Sequence, residues 1–268
     1  MKIYISADME GLAGVVGDQQ RSRTGQDYQA ARRWMAGEIN AVIEGAKEAG
    51  ANEFVVNDAH ALGQNLDLPD LHQEADLIGG AARPLSMMEG IQAGFDAAIS
   101  VGYHAMRSTQ DACMDHTYSE AKVMALRLNG TPYGEIGINA RVAGHFGVPV
   151  VLVSGDDKTA AETAAFLGDE VETVVVKKAI GRHAARSFGQ ARVHQMLREG
   201  TRRALKDLSR FKPLVLPGPI EMELEFVGTE QADRAQLLPG IERTGPRTVA
   251  ARGSNYLELF RLFLFMLR

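Results

Sequence analysis

The sequence predicts an α/β fold: a mostly parallel sheet flanked by helices, with a smaller C-terminal α+β portion. Three observations predict it. Short runs rich in β-branched and aromatic residues alternate with longer stretches of helical periodicity, as strands with crossover helices do. The connections between them are short. From residue 213 the texture changes, with the proline-rich PLVLPGP leading into the strict alternation of IEMELEF. That alternation marks a half-exposed strand of an antiparallel sheet.

The elements follow in order. KIYISAD, at the start, reads as a buried strand. Over 24–49 the apolar residues Tyr28, Met35, Ile39, Val42, Ile43 and Ala46 recur at steps of three and four, which predicts an amphipathic helix closed by Gly50. EFVVND is a second strand, DLIGG and DAAISVGY two more, with a short helix at 87–91 between them. YSEAKVMALRLNG is read as a strand running into the Asn129-Gly130 turn, and YGEIGINARVAGHFG as a helix. PVVLVSGDD is a strand that ends on a helix-start signal, TAAETAAFLG the helix, and VETVVVKK the next strand. Residues 190–208 carry Val193, Met196, Leu197, Ala204, Leu205 and Leu208 on one face. After IEMELEF come a helix at 229–238, the strand TVAAR and a final apolar helix at 254–267.

A chain of 268 residues suits one large α/β domain or two modest ones. The expected division is 1–212 and 213–268, which can pack as one unit. With a net charge of −5, nothing suggests nucleic acid, which would want a basic face. The first apolar stretch is interrupted by Asp8 too soon for a signal peptide, and no run of about 18 apolar residues predicts a membrane span. The single cysteine, Cys113, excludes an intrachain disulfide and suits a reducing, cytoplasmic setting.

Chemistry-bearing residues gather at strand ends. Asp8 and Glu10 close the first strand, Asp58 and His60 follow the second, and His104 follows DAAISVGY. In an open α/β sheet, ligands bind beyond the carboxyl ends of the strands. Three strands thus deliver carboxylates and imidazoles to one sheet edge, which is the donor set of a catalytic metal site. A carboxylate such as Asp8 can bridge two cations about 3.5–4 Å apart in a two-metal hydrolase. Spacing alone does not choose zinc from manganese or iron.

Five ordered motifs carry a resemblance. SADMEG at the start, VNDAH at 56–60, VGYHA at 101–105, DHTYS at 115–119 and GEIGINA at 134–140 resemble the dinuclear-zinc D-aminopeptidases, and SGDD at 154–157 belongs to the same pattern. These are the metallopeptidases typified by the enzyme of the bacterial dipeptide-transport operon. The resemblance runs over residues 1–180 and continues more weakly through IEMELEF and the last helix. It implies two Zn2+ per subunit held by Asp8, Glu10, His60, His104 and Glu135, with Asp8 bridging, and a catalytic role for His116. It further implies an α/β fold and a homodecameric ring whose sites face an inner channel that admits only short peptides. The implied activity is release of N-terminal D-residues, notably D-alanine; another small amide is the alternative substrate.

Two rival chemistries have weaker signals. A cysteine hydrolase could pair Cys113 with His116, but nothing around Cys113 signals a lowered thiol pKa. A phosphate- or nucleotide-binding module could use Gly79-Gly80 and SGDD, yet neither has the Lys-Ser/Thr ending of a phosphate loop. A tight turn for the glycines and a helix cap for Asp156 or Asp157 explain them as well. His72, His145, His183 and His194 read as loop, helix-end or surface residues, and Trp34 as a helix-boundary residue. Lys177 and Lys178 could meet a substrate carboxylate, but their position predicts a solvated strand end.

Overall fold

A computed structural model describes all residues, 1–268. The first half runs β1 (Lys2–Ala7), α1 (Asp18–Arg21), α2 (Tyr28–Glu48), β2 (Glu53–Asp58), β3 (Ala75–Ile78), β4 (Ala97–Val101), β5 (Val123–Leu128), β6 (Thr131–Tyr133) and α3 (Glu135–His145). The second runs β7 (Val150–Asp156), α4 (Asp157–Leu167), β8 (Glu172–Gly181), β9 (Ala184–Ser187), α5 (Gln190–Leu205), β10 (Ile220–Phe226), α6 (Thr229–Ala235), β11 (Ile241–Arg243), β12 (Thr248–Gly253) and α7 (Tyr256–Met266).

Seven strands form a sheet in the order β3-β2-β1-β4-β7-β8-β9, parallel except for the β8–β9 hairpin. Its central strands are buried on both faces, which is why β1, β4 and β7 read as continuous apolar runs. The chain builds outward from β1 through β2 to β3, then crosses back to place β4 on the other side of β1. The gap between the ends of β1 and β4 is therefore a topological switch point, where a crevice opens.

A five-stranded sheet, β11-β12-β10-β5-β6, is antiparallel throughout. On β10, Ile220, Met222, Leu224 and Phe226 are buried while Glu221 is exposed and Glu223 and Glu225 are half-buried, as period two requires. β5 and β6 lie before residue 212 and β10 to β12 after it, so this sheet joins both sides of that boundary. No helix is long and apolar enough to cross a membrane.

Several expected bounds shift. The helix at 24–49 starts at Tyr28, that at 190–208 stops at Leu205, and that at 229–238 stops at Ala235. The helix expected at 87–91 is instead two 3-10 turns, Ser86–Met88 and Ile91–Ala93, because Gly90 between them is left-handed at φ 94°. Lys177 is not at a solvated strand end. β8 continues to Gly181, and its pairing with β7 slips by one residue at Gly155/Asp156. The slip breaks the alternation, so Val176 and Lys177 are both buried in succession.

Candidate metal centre

The loops that leave β1, β2 and β4 meet at the switch point. Asp8, Glu10, His60, His104, His116 and Glu135 are all buried there. Asp8 sits one residue past β1, its amide bonded to the Val101 carbonyl of β4 at 2.8 Å. Glu10 follows in a tight turn at Gly11, whose amide reaches the Gly102 carbonyl at 2.7 Å. A Cβ at Gly11 would fall 1.8 Å from the Tyr103 carbonyl oxygen, so only glycine lets these two loops touch. Asp58 is not part of the cluster. Its carboxylate accepts the amides of Asn65 and Leu66 at 2.5 and 3.0 Å and fixes the loop that carries His60.

The donor atoms converge in two groups about Asp8. Its Oδ1 lies 3.1 Å from His60 Nδ1, which is also 3.0 Å from Glu10 Oε2. Its Oδ2 lies 3.4 Å from His104 Nε2, which is 3.4 Å from Glu135 Oε2. His116 Nε2 is 3.7 Å from the other oxygen, Glu135 Oε1, and its ring stacks on His104 with centroids 3.9 Å apart. Glu135 arrives as the first residue of α3, and the Tyr118 amide donates to its Oε1 at 2.5 Å.

Backbone carbonyls set the histidine tautomers, because a carbonyl can only accept. His60 Nε2 donates to the Arg21 carbonyl at 3.0 Å, which turns Nδ1 toward Asp8 and Glu10. His104 Nδ1 donates to the Ala105 carbonyl at 3.0 Å and His116 Nδ1 to the Met114 carbonyl at 2.9 Å. His104 Nε2 then points between Asp8 and Glu135, and His116 Nε2 toward Glu135. Such partners on the far ring nitrogen orient metal-binding imidazoles.

The electrostatics match the geometry. Burial alone would push the Glu10 and Glu135 carboxyls up, yet His60 beside Glu10 and His104 beside Glu135 hold both below their ordinary range. Burial likewise disfavours charge on His60 and His104, but Glu10 beside His60 and Glu135 beside His104 carry both well above the usual imidazole value. Glu10 Oε2 and His104 Nε2 are buried, and although each has an oppositely charged neighbour within 3.4 Å, neither makes an aligned hydrogen bond. Three carboxylates, the imidazole nitrogens turned toward them and two orphaned polar atoms are what divalent cations would satisfy. Two sets of three donors, Asp8/Glu10/His104 and His104/His116/Glu135, each lie within 4.8 Å.

Asp8, Glu10, His60, His116 and Glu135 line a cleft of about 360 Å3, whose other lining includes Arg21, Ala61, Met87 and Glu120, while His104 lies buried behind them. A cleft of about 380 Å3 around Arg141, His145 and Tyr256 contains none of the clustered carboxylates. Arg21 lines the first cleft. Its guanidinium pairs with Asp18 at 2.7 Å, Glu120 at 2.5 Å and Glu10 at 3.3 Å, and Arg182 ties Glu120 to Asp115. Arg21 was not singled out in the sequence; it lies in a four-residue helix with no periodicity to mark it.

The rival chemistries find no support. The Cys113 thiol is buried, points toward the Val15 carbonyl and is pushed up by burial, the opposite of an activated nucleophile. Asp156 caps α4, accepting the amides of Lys158 and Thr159 at 2.9 and 2.8 Å. Gly80 takes a left-handed turn at φ 90°. His145 ends α3, His183 is exposed, and His72 pairs with Glu44 at 3.1 Å. His194 departs from the expected surface position, because its Nε2 is buried and unpartnered against Gly37 of α2.

Comparison with known proteins agrees with this architecture. The profile of the D-aminopeptidase family matches residues 1–265. The D-aminopeptidase of Bacillus subtilis strain 168 is 38% identical over 267 residues, 99% of this chain and 96% of its own. A solved structure of the Zn-dependent D-aminopeptidase DppA from Bacillus subtilis, described as a self-compartmentalizing protease, superposes with a TM-score of 0.95 at 38% identity. It covers 100% of this chain and 97% of its own. With near-complete coverage in sequence and in fold, the chain belongs to the D-aminopeptidase family.

Proposed function

We propose that the chain is a zinc-dependent aminopeptidase that releases N-terminal D-residues such as D-alanine from short peptides. The observation that carries the reading is Asp8, whose two oxygens face separate histidines: Oδ1 toward His60 and Oδ2 toward His104. Asp8, Glu10 and His60 would hold one Zn2+, and Asp8, His104 and Glu135 the other. Bound zinc would supply a water activated near neutral pH and a Lewis acid for the scissile carbonyl.

The chain's own residues do the rest. Arg21 and Glu120 border the cleft and limit what enters. His116 keeps its Nδ1 proton on the Met114 carbonyl, which leaves Nε2 free at the cleft. That nitrogen takes a proton from the attacking water and returns it to the departing amine. Ala59, Ala61 and Met87 line the cleft near the metal residues and shape the space left for a small side chain.

A homodecameric ring and a cytoplasmic location complete the proposal; the self-compartmentalizing relative supports the first, the single thiol the second. The test is hydrolysis of D-alanyl-D-alanine and of D-alaninamide by purified protein, before and after removal of metal by a chelator. The expected result is cleavage of the dipeptide that the chelator abolishes and zinc restores. Full activity without metal would overturn the metal reading. Cleavage of the amide alone would move the substrate to small amides.

A further inference from the structure

Two buried ionisable side chains grip the loop that carries Glu10. Lys177 is 0% exposed, and its Nζ donates to the carbonyl oxygens of Glu10 at 2.5 Å and Val15 at 2.6 Å. No carboxylate pairs with it; burial holds its pKa below the ordinary lysine value, against the pull of Cys113, Asp156, Glu38 and Glu10. Glu38, also 0% exposed, projects from the buried face of α2, and its Oε1 accepts the Ala13 amide at 2.9 Å. A cation on β8 and a carboxyl on α2 thus hold Glu10, Ala13 and Val15 from two sides. Gly11 fixes the same loop to the strand end that precedes His104.

A buried ammonium without a carboxylate partner is costly, and an apolar side chain of similar volume commonly serves a core at least as well. What an ammonium offers here is direction. It holds the carbonyl of Glu10 and that of the residue where the loop closes, so the Glu10 peptide cannot rotate without losing a charge-assisted bond. Rotation of that peptide would swing the carboxylate away from His60.

We propose that Lys177 and Glu38 are positioning residues, a buried clamp on loop 10–15 that holds the Glu10 carboxylate in place for the cation it shares with His60 and Asp8. The proposal rests on the metal-centre reading above. Residues that support metal ligands in this way typically change metal affinity by about 10–100-fold when removed.

Zinc titration of chelator-stripped protein against a competing chromogenic chelator tests it, with the melting temperature of the metal-free protein measured alongside. Lys177→Met and Glu38→Met should each weaken one of the two zinc equivalents by about 10–100-fold. Glu38→Gln, which keeps an acceptor for the Ala13 amide, should restore wild-type affinity. A lowered melting temperature with unchanged zinc affinity would mean a merely structural role and overturn the clamp. If Lys177→Met does not fold, the Glu38 pair decides: equal, wild-type affinity in both overturns it. Wild-type protein that binds no zinc would sink the metal-centre reading and the clamp with it, whereas wild-type binding with indistinguishable variants would sink the clamp alone.

Discussion

At the scale of single residues, His116 stands apart from the carboxylate–imidazole contacts around Asp8, and its proposed role is the most separable. Its Nε2 lies 3.7 Å from Glu135 Oε1, farther than any of the four carboxylate contacts made by His60 and His104. His116→Ala should therefore retain two zinc ions per chain by elemental analysis while turnover falls by about 10²–10⁴-fold. Loss of a metal equivalent would make it a ligand, which the grouping of His104, His116 and Glu135 also permits. The meeting of Asp8, Glu10, His60 and His104 was legible in the sequence because each falls just after a strand, and a parallel sheet gathers such residues at one edge. Glu135 was not legible that way. It opens a helix that follows the antiparallel hairpin β5–β6, so only resemblance to a family could single it out.

Glu38 shows the same limit from the other side. It lies on the buried stripe of α2 beside Met35, Ile39 and Val42, where a carboxyl breaks the apolar pattern, and that break was the available signal. Burial raises its pKa from the ordinary 4.5 to about 8, against the pull of the Ala13 amide and Lys177. Between those values the native protein holds a proton that the unfolded chain has released. This contribution to stability is full below 4.5 and is lost as pH rises through about 8. Denaturant melts of wild type and Glu38→Gln across that window should diverge by at most about 1.4 kcal/mol per pH unit, with the wild type losing ground as pH rises. Parallel curves would show that Glu38 is ionised in the fold.

At the scale of elements, the alternating pattern of β10 was readable but its partners were not. Strand pairing between residues 123–133 and 220–253 is long-range, and no local pattern records it. The slip between β7 and β8 was invisible for the same reason, and it is the slip that buries Lys177. Leu224 is fully buried, with β5 on one side of its strand and β12 on the other. Leu224→Ala should lower unfolding free energy by about 2–5 kcal/mol. The loss should fall on a single cooperative transition, since this sheet draws strands from both sides of residue 212. Two resolved transitions, with only one displaced, would show that the segments unfold separately.

At the scale of the whole molecule, the site exists because of the order in which strands enter the sheet. β1 lies at the point where the chain reverses its direction of growth, so the loops after β1, β2 and β4 converge there. The α/β class, the crossover helices and the sheet edge were legible because period and burial are local properties. The second sheet's membership and the ionic network of Arg21, Glu120 and Arg182 were not, because they depend on contacts 60 to 100 residues apart. The proposed metal centre places Asp8 between two cations. A crystal structure of the zinc-loaded protein, with anomalous data collected at the zinc edge, tests it most directly. Two peaks are expected, one within coordinating distance of Glu10 and His60, the other of His104 and Glu135, with Asp8 touching both. A single peak, or two peaks with Asp8 bound to only one, would contradict it.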